Sequence, residues 1–176
     1  MPESWLRFWK LYKEVVVMSK TLVAYFSASG ATAKAAQVLA KVADADLYEI
    51  TPAQLYTSAD LNWNNNSSRS SKEMNDKNAR PEIAGSVENM EQYDRVFVGF
   101  PIWWYEAPRI IQTFLESYDF SGKTVIPFAT SGGSGMGKTA DILKKSCKGA
   151  DVLPGRRLSA GASQSELAGW IDSLGR

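Results

Sequence analysis

The feature that most restricts how this chain can fold is an alternation beginning near residue 20. Short runs that are apolar throughout take turns with segments of helical spacing. The strongest runs are "KTLVAYF" (20–26), "YDRVFVGF" (93–100) and "KTVIPFAT" (123–130), with weaker ones at "ADLYEI" (45–50) and "ADVLPGRRL" (150–158). A strand with one face in water alternates apolar and polar residues. These strands do not, so both of their faces are covered, as in a parallel sheet between helical layers. Between them, "ATAKAAQVLAKVA" places Ala36, Leu39, Ala40 and Ala43 at helical spacing. In "APRIIQTFLESY", Ile110, Ile111, Phe114 and Leu115 form a buried stripe, with Pro108 suited to the first turn. "GKTADILKKSC" is a further helix, and Ser163 and Glu166, spaced S-x-x-E, open a last one through Leu174. The chain is expected to be α/β, with a parallel sheet and right-handed crossovers.

Sheets of this kind bind ligands beyond the carboxyl ends of the strands, where strand order reverses. That directs attention to three loops: "SASGATA" (27–33), "PIWWYEAP" (101–108) and "SGGSGMG" (131–137). The third overlaps a match to the P-loop pattern, G-x-x-x-x-G-K-T from Gly132 to Thr139. A P-loop normally follows the first strand of its sheet, and this one follows the fourth. No later apolar strand ends in the Asp that a nucleotide hydrolase uses beside its magnesium. Lys138 and Thr139 therefore read as ordinary first-turn helix residues, and the glycines as places of close backbone approach to a ligand.

Composition narrows the chemistry. There is no histidine and a single cysteine, Cys147. Ser-His-Asp hydrolysis, Cys-His thiol catalysis and His-ligated metal sites are excluded, and no disulfide forms within the chain. Twenty Lys and Arg against nineteen Asp and Glu give no clustered basic excess for nucleic acid. A bound cofactor is the natural carrier of any chemistry. In the first loop, Ser27, Ser29 and Thr32 surround Gly30 just before a helix, where unpartnered backbone N–H groups attract an anion such as a terminal phosphate. The loop lacks the G-x-G-x-x-G of dinucleotide folds, which disfavours NAD as the tightly held ligand. In the second, Trp103, Trp104 and Tyr105 are consecutive. Three such rings cannot all point inward, so at least one should face a flat partner. A phosphate tail, a planar head and backbone donors for the head's polar edge together describe flavin mononucleotide.

With those motifs in hand, the sequence resembles the flavodoxin family. "LVAYFSASGATA" is similar to its phosphate loop, and "FVGFPIWWYEAP" and "PFATSGGSG" to the two loops flanking its flavin ring. The resemblance covers about residues 20 to 175. It implies a flavodoxin-like three-layer sandwich with a five-stranded sheet in order 2-1-3-4-5, non-covalent FMN, and electron transfer to a redox partner protein or small-molecule acceptor. By position, Ser27, Ser29, Gly30, Ala31, Thr32 and Ala33 would hold phosphate. Pro101, Ile102, Trp103, Trp104 and Tyr105 would edge or stack on the ring, and Thr130, Ser131, Gly132, Gly133 and Gly135 would meet its other edge. Departures are Ala31, where relatives often carry Thr or Asn, the near-neutral charge, and the lack of a glycine in "PIWWYEAP". The last leaves an NAD(P)H-dependent oxidoreductase acting on a quinone or similar acceptor as the alternative.

Outside the motifs, residues 1–17 are expected to be an extension upstream of a domain spanning 18–176, with an amphipathic helix as the other reading. The stretch lacks the apolar core of a secretory signal, and no apolar run approaches the roughly 20 residues that span a bilayer. A cytoplasmic monomer or homodimer without membrane insertion is the expectation. The polar stretch 51–85 reads as a mostly solvated excursion with one short helix around Ser70–Asn78, and Trp63 as a possible lid contact.

Overall fold

The computed structural model describes residues 2–16 and 20–175. Among the described residues six α-helices and eight strands follow one another: α1 (Glu3–Val16), β1 (Lys20–Tyr25), α2 (Ala31–Ala43), β2 (Asp46–Glu49), β3 (Thr51–Pro52), α3 (Arg69–Asn75), β4 (Ile83–Ala84), β5 (Tyr93–Pro101), α4 (Arg109–Glu116), β6 (Thr124–Thr130), α5 (Thr139–Lys144), β7 (Asp151–Val152), β8 (Arg156–Arg157) and α6 (Gln164–Ser173). The main sheet runs β2-β1-β5-β6-β7, the expected 2-1-3-4-5, with all these pairs parallel. A small antiparallel pair, β3 with β4, lies apart and ties the two ends of the excursion together.

The core divides by strand parity. Leu22 and Ala24 of β1, Val96, Val98 and Phe100 of β5, and Val125 and Ala129 of β6 face one layer, packed on Ile110, Ile111, Phe114 and Leu115 of α4 and Leu143 of α5. Their neighbours Val23, Tyr25, Phe97, Ile126 and Phe128 face the other, against Ala35, Ala36 and Leu39 of α2 and Leu167 and Trp170 of α6. Successive side chains of a strand point to opposite faces, so covering both faces requires an unbroken apolar run. In α1, Trp5, Leu6, Phe8 and Trp9 are exposed. The Met18 boundary lies outside the described residues.

The fifth strand departs from expectation. "ADVLPGRRL" forms two short pieces, β7 and β8, both paired with β6. Leu153 N–H donates to Val125 O, and Leu158 N–H to Ala129 O. Residue 127 therefore faces the same edge, and it is a proline with no N–H to give. Opposite that missing donor the chain bulges, then rejoins the sheet at Arg156. Gly155 makes the detour possible: its φ is +76°, and a Cβ there would collide with Pro127 O. At the last helix, Ser163 Oγ accepts from Glu166 N–H at 3.2 Å, as an N-cap. The Glu166 carboxylate faces Arg156 at 3.6 Å.

Gly155→Ala is expected to lower unfolding free energy by about 1–3 kcal/mol, from left-handed strain and overpacking against a backbone oxygen. Chemical denaturation reads it; an unchanged midpoint would show that the bulge relaxes freely.

Candidate functional site

At the carboxyl ends of β1, β5 and β6 the chain forms a continuous cleft. One part, about 410 Å³, is lined by Ser29 and Ala31 on one side, Pro101, Ile102 and Trp103 in the middle, and Thr130, Ser131 and Gly132 beyond them. The other part, about 810 Å³, shares Ile102, Trp103 and Gly132 and adds Trp104, Tyr105, Gly133 and Ser134. The three loops singled out in the sequence are thus brought together. Leu61, Trp63 and Ser70 of the excursion close the larger part, and Arg157 to Ala160 close the smaller.

The first loop turns part of its chemistry inward. Gly30 precedes α2 with φ +97°, a conformation that costs glycine little and other residues more. Ser27 Oγ accepts from Gly30 N–H at 3.1 Å and from Ala33 N–H at 3.2 Å, so it pins the turn. Thr32 is buried, and its hydroxyl pairs with that of Thr130 at 2.7 Å, bolting the first loop to the end of β6. Ser27, Gly30, Thr32 and Ala33 are not among the lining residues of either cavity, and neither is Gly135. Ser29 and Ala31 are, at the first turn of a 13-residue helix, where backbone N–H groups and the helix dipole favour an anion.

The second loop is a hairpin tip under strain. Trp103 N–H donates to Glu106 O at 2.9 Å and Glu106 N–H returns to Trp103 O at 3.0 Å. The two residues between them, Trp104 and Tyr105, have φ of +47° and +64°. Positive φ at both central positions marks a type I′ turn, which strongly prefers Asn-Gly. Two bulky aromatics held there cost about 1–3 kcal/mol each, and such strain gathers at functional positions. The three rings divide as the crowding argument requires. Trp103 is half-buried and packs edge-on against Phe26 (centroids 5.6 Å) and Tyr56 (5.4 Å), whereas Trp104 and Tyr105 are exposed.

Most of the excursion is exposed, as expected, but a few side chains anchor it. Tyr56 donates to Glu73 Oε2 at 2.6 Å, and Arg69 lies over its ring at 3.8 Å while pairing with Glu73 at 2.8 Å. Burial, and then the Glu73 bond and charge, push the Tyr56 hydroxyl far above its ordinary pKa, so it remains a donor. The short helix forms as Arg69–Asn75, capped by Ser68. Its C-terminal end is held by Arg109, which is 3% exposed. That guanidinium donates to Glu73 O, Met74 O and Asp76 O at 3.3, 2.8 and 3.1 Å, and to Glu106 Oε2 at 2.7 Å. One side chain thus clamps the excursion to the base of the strained turn. A lone arginine in "APRII" gave no hint of this.

The nucleotide-hydrolase pattern finds no supporting geometry. Lys138 is exposed and precedes a six-residue α5, Thr139 is buried, and neither lines the cleft.

The flavodoxin family model matches residues 20–174. The chain belongs to the flavodoxin family. A protein of Bacteroides eggerthii DSM 20697, provisionally named a flavoprotein, is 52% identical with a TM-score of 0.85 over 90% of this chain and 99% of its own. One of Bacteroides uniformis ATCC 8492, named the same way, is 50% identical with a TM-score of 0.83 over 88% and 98%. A flavoprotein of Lactobacillus acidophilus NCFM, solved in complex with FMN, is 25% identical with a TM-score of 0.66 over 87% and 99%. A search of curated proteins finds no match. Within this flavodoxin-like fold, the strained turn inside the aromatic loop and the Arg109 clamp on the excursion had no signal in the sequence.

Replacing Trp104 and Tyr105 together by Asn and Gly is expected to stabilise the ligand-free protein by about 1–2 kcal/mol, because the turn's strain is relieved. Urea denaturation measures it. A destabilised double variant would mean that the rings contribute packing that outweighs the strain.

Proposed function

We propose that the cleft holds FMN non-covalently and that the protein, through residues 18–176, transfers electrons to a redox partner protein or a small-molecule acceptor. The observation that carries this reading is the continuity of the cleft, from the first turn of α2 at one end to the aromatic hairpin at the other. A ligand with an anionic tail and a flat head fits both ends at once. The FMN complex of the Lactobacillus acidophilus relative supports it.

The residues divide the work. At the tail end, the N–H groups of the first turn, beside Ser29 and Ala31, supply donors and the positive end of the helix dipole. At the head end, Trp103 is fixed by Phe26 and Tyr56, and the exposed faces of Trp104 and Tyr105 offer stacking surfaces. Gly132 and Gly133 bring bare backbone to the opposite edge, where no side chain intervenes. Leu61 and Trp63 line that side. FMN itself supplies the redox chemistry, and the protein supplies position, dryness and tuning. The absence of histidine from the chain agrees with that division.

The purified protein is expected to be yellow, or to become so with added FMN, and to release FMN on heating, identified by its mass. Ser29→Asp places a carboxylate where the phosphate would sit without harming the helix start. It is expected to weaken FMN binding by more than about tenfold, through repulsion in a partly desolvated site. Lys138→Ala is expected to leave binding unchanged. A protein that stays colourless with FMN, or that cleaves ATP in a Lys138-dependent way, contradicts the proposal.

A further inference from the structure

The cleft is almost without charge. Among the described residues, the larger cavity is lined by no ionisable acid or base other than the Tyr105 phenol. The smaller is lined by one charged side chain, Arg157, which shares that cavity with Ser29 and Ala31. The first loop has no Lys or Arg between Ser27 and Ala33; Lys34 follows it, exposed, on α2.

Arg157 owes its place to the broken fifth strand. Pro127 offers no donor, the chain bulges over Leu153–Gly155, and β8 rejoins the sheet beside Phe128 and Ala129. The two arginines of β8 then diverge. Arg156 faces the Glu166 carboxylate at 3.6 Å. Arg157 has no carboxylate within ion-pair distance among the described residues. Among the described residues its guanidinium donates to Gly133 O, at 3.5 Å, a long contact with a neutral group of the third loop. Holding an exposed arginine over a neutral cleft gains little by itself. It gains much more when an anion arrives, because guanidinium offers a planar fork of donors matched to phosphate oxygens.

We infer that Arg157 supplies the positive charge for the ligand's phosphate and is the residue by which this cleft distinguishes a phosphorylated flavin from an unphosphorylated one. The inference rests on the FMN reading and assigns its anion selectivity to β8 rather than to the first loop. Neutral donors of α2 position the phosphate, and the cation in the same cavity balances its charge. The interaction is screened, since Arg157 is exposed, so it depends on ionic strength.

The test is a titration of the full chain, wild type and Arg157→Gln, with FMN and with riboflavin, followed by quenching of flavin fluorescence at low and high salt. Arg157→Gln is expected to raise the FMN dissociation constant about tenfold, the loss of one charge-assisted bond to phosphate, and to leave riboflavin binding unchanged. The salt dependence of FMN binding should shrink with it. Arg157→Lys should recover part of the loss, and Arg156→Gln should leave the FMN-to-riboflavin ratio as in wild type. Equal weakening of both flavins would place Arg157 at the ring or as a prop for Gly133, and would overturn the inference. So would an unchanged FMN affinity. If wild type bound neither flavin, the cofactor reading would fall first and the inference with it. If wild type bound FMN while Arg157→Gln bound it equally well, only the inference would fall.

Discussion

Val96, Phe97, Val98 and Phe100 on β5, with Val125, Ile126, Phe128 and Ala129 on β6, are buried on whichever face of the sheet they occupy. Helices cover both faces, so the flanks of these strands offer no place for a polar ligand. Polar chemistry is displaced to the strand ends. At the carboxyl ends the sheet delivers Ser27, Pro101 and Thr130 into three loops that lie side by side because β1, β5 and β6 do. The buried Thr32–Thr130 hydroxyl pair fastens the first of these loops to the third strand of the group. The position of the cleft is thus a consequence of core packing, reached without any residue being chosen for binding.

The cleft's shape depends on interactions of a different kind. The Trp104–Tyr105 turn adopts backbone angles that its residues disfavour, and it persists because its surroundings hold it. Arg109 joins the excursion to Glu106 at the turn's base, and Tyr56 packs on Trp103 from beneath. A strained element restrained on two sides is preorganised: its rings are already presented, and less ordering remains to be done when a planar ligand arrives.

How far the sequence reveals this follows from the range of each interaction. The α/β class and the three loops were legible, since they rest on local periodicity and on rules of crossover and strand-end binding; the strand order was implied by the resemblance to the flavodoxin family. The packed stripe of α4 and the Ser163 cap were legible too. The split of the fifth strand was missed, although Pro127 carried the signal: a proline inside a strand removes one ladder donor, and which edge lost it depends on a register that sequence does not show. The clamp by Arg109 and the Tyr56–Glu73 bond span 17 to 36 residues through a polar stretch with no periodicity, so no local signal announced them. The first loop's hydroxyls were read as one set. Their neighbours divide them: Ser27 and Thr32 serve the turn, and Ser29 faces the cleft.

In the proposed function, one cleft holds both ends of FMN at once. The most direct measurement is an amide-resolved nuclear magnetic resonance titration of the full chain with FMN. Saturable shifts at one equivalent are expected in the 29–32, 101–105 and 130–134 segments together, with the indole signals of Trp103 and Trp104 moving in step. Shifts confined to one of these segments, or centred on the loop around Lys138 and the α5 start, would contradict that function.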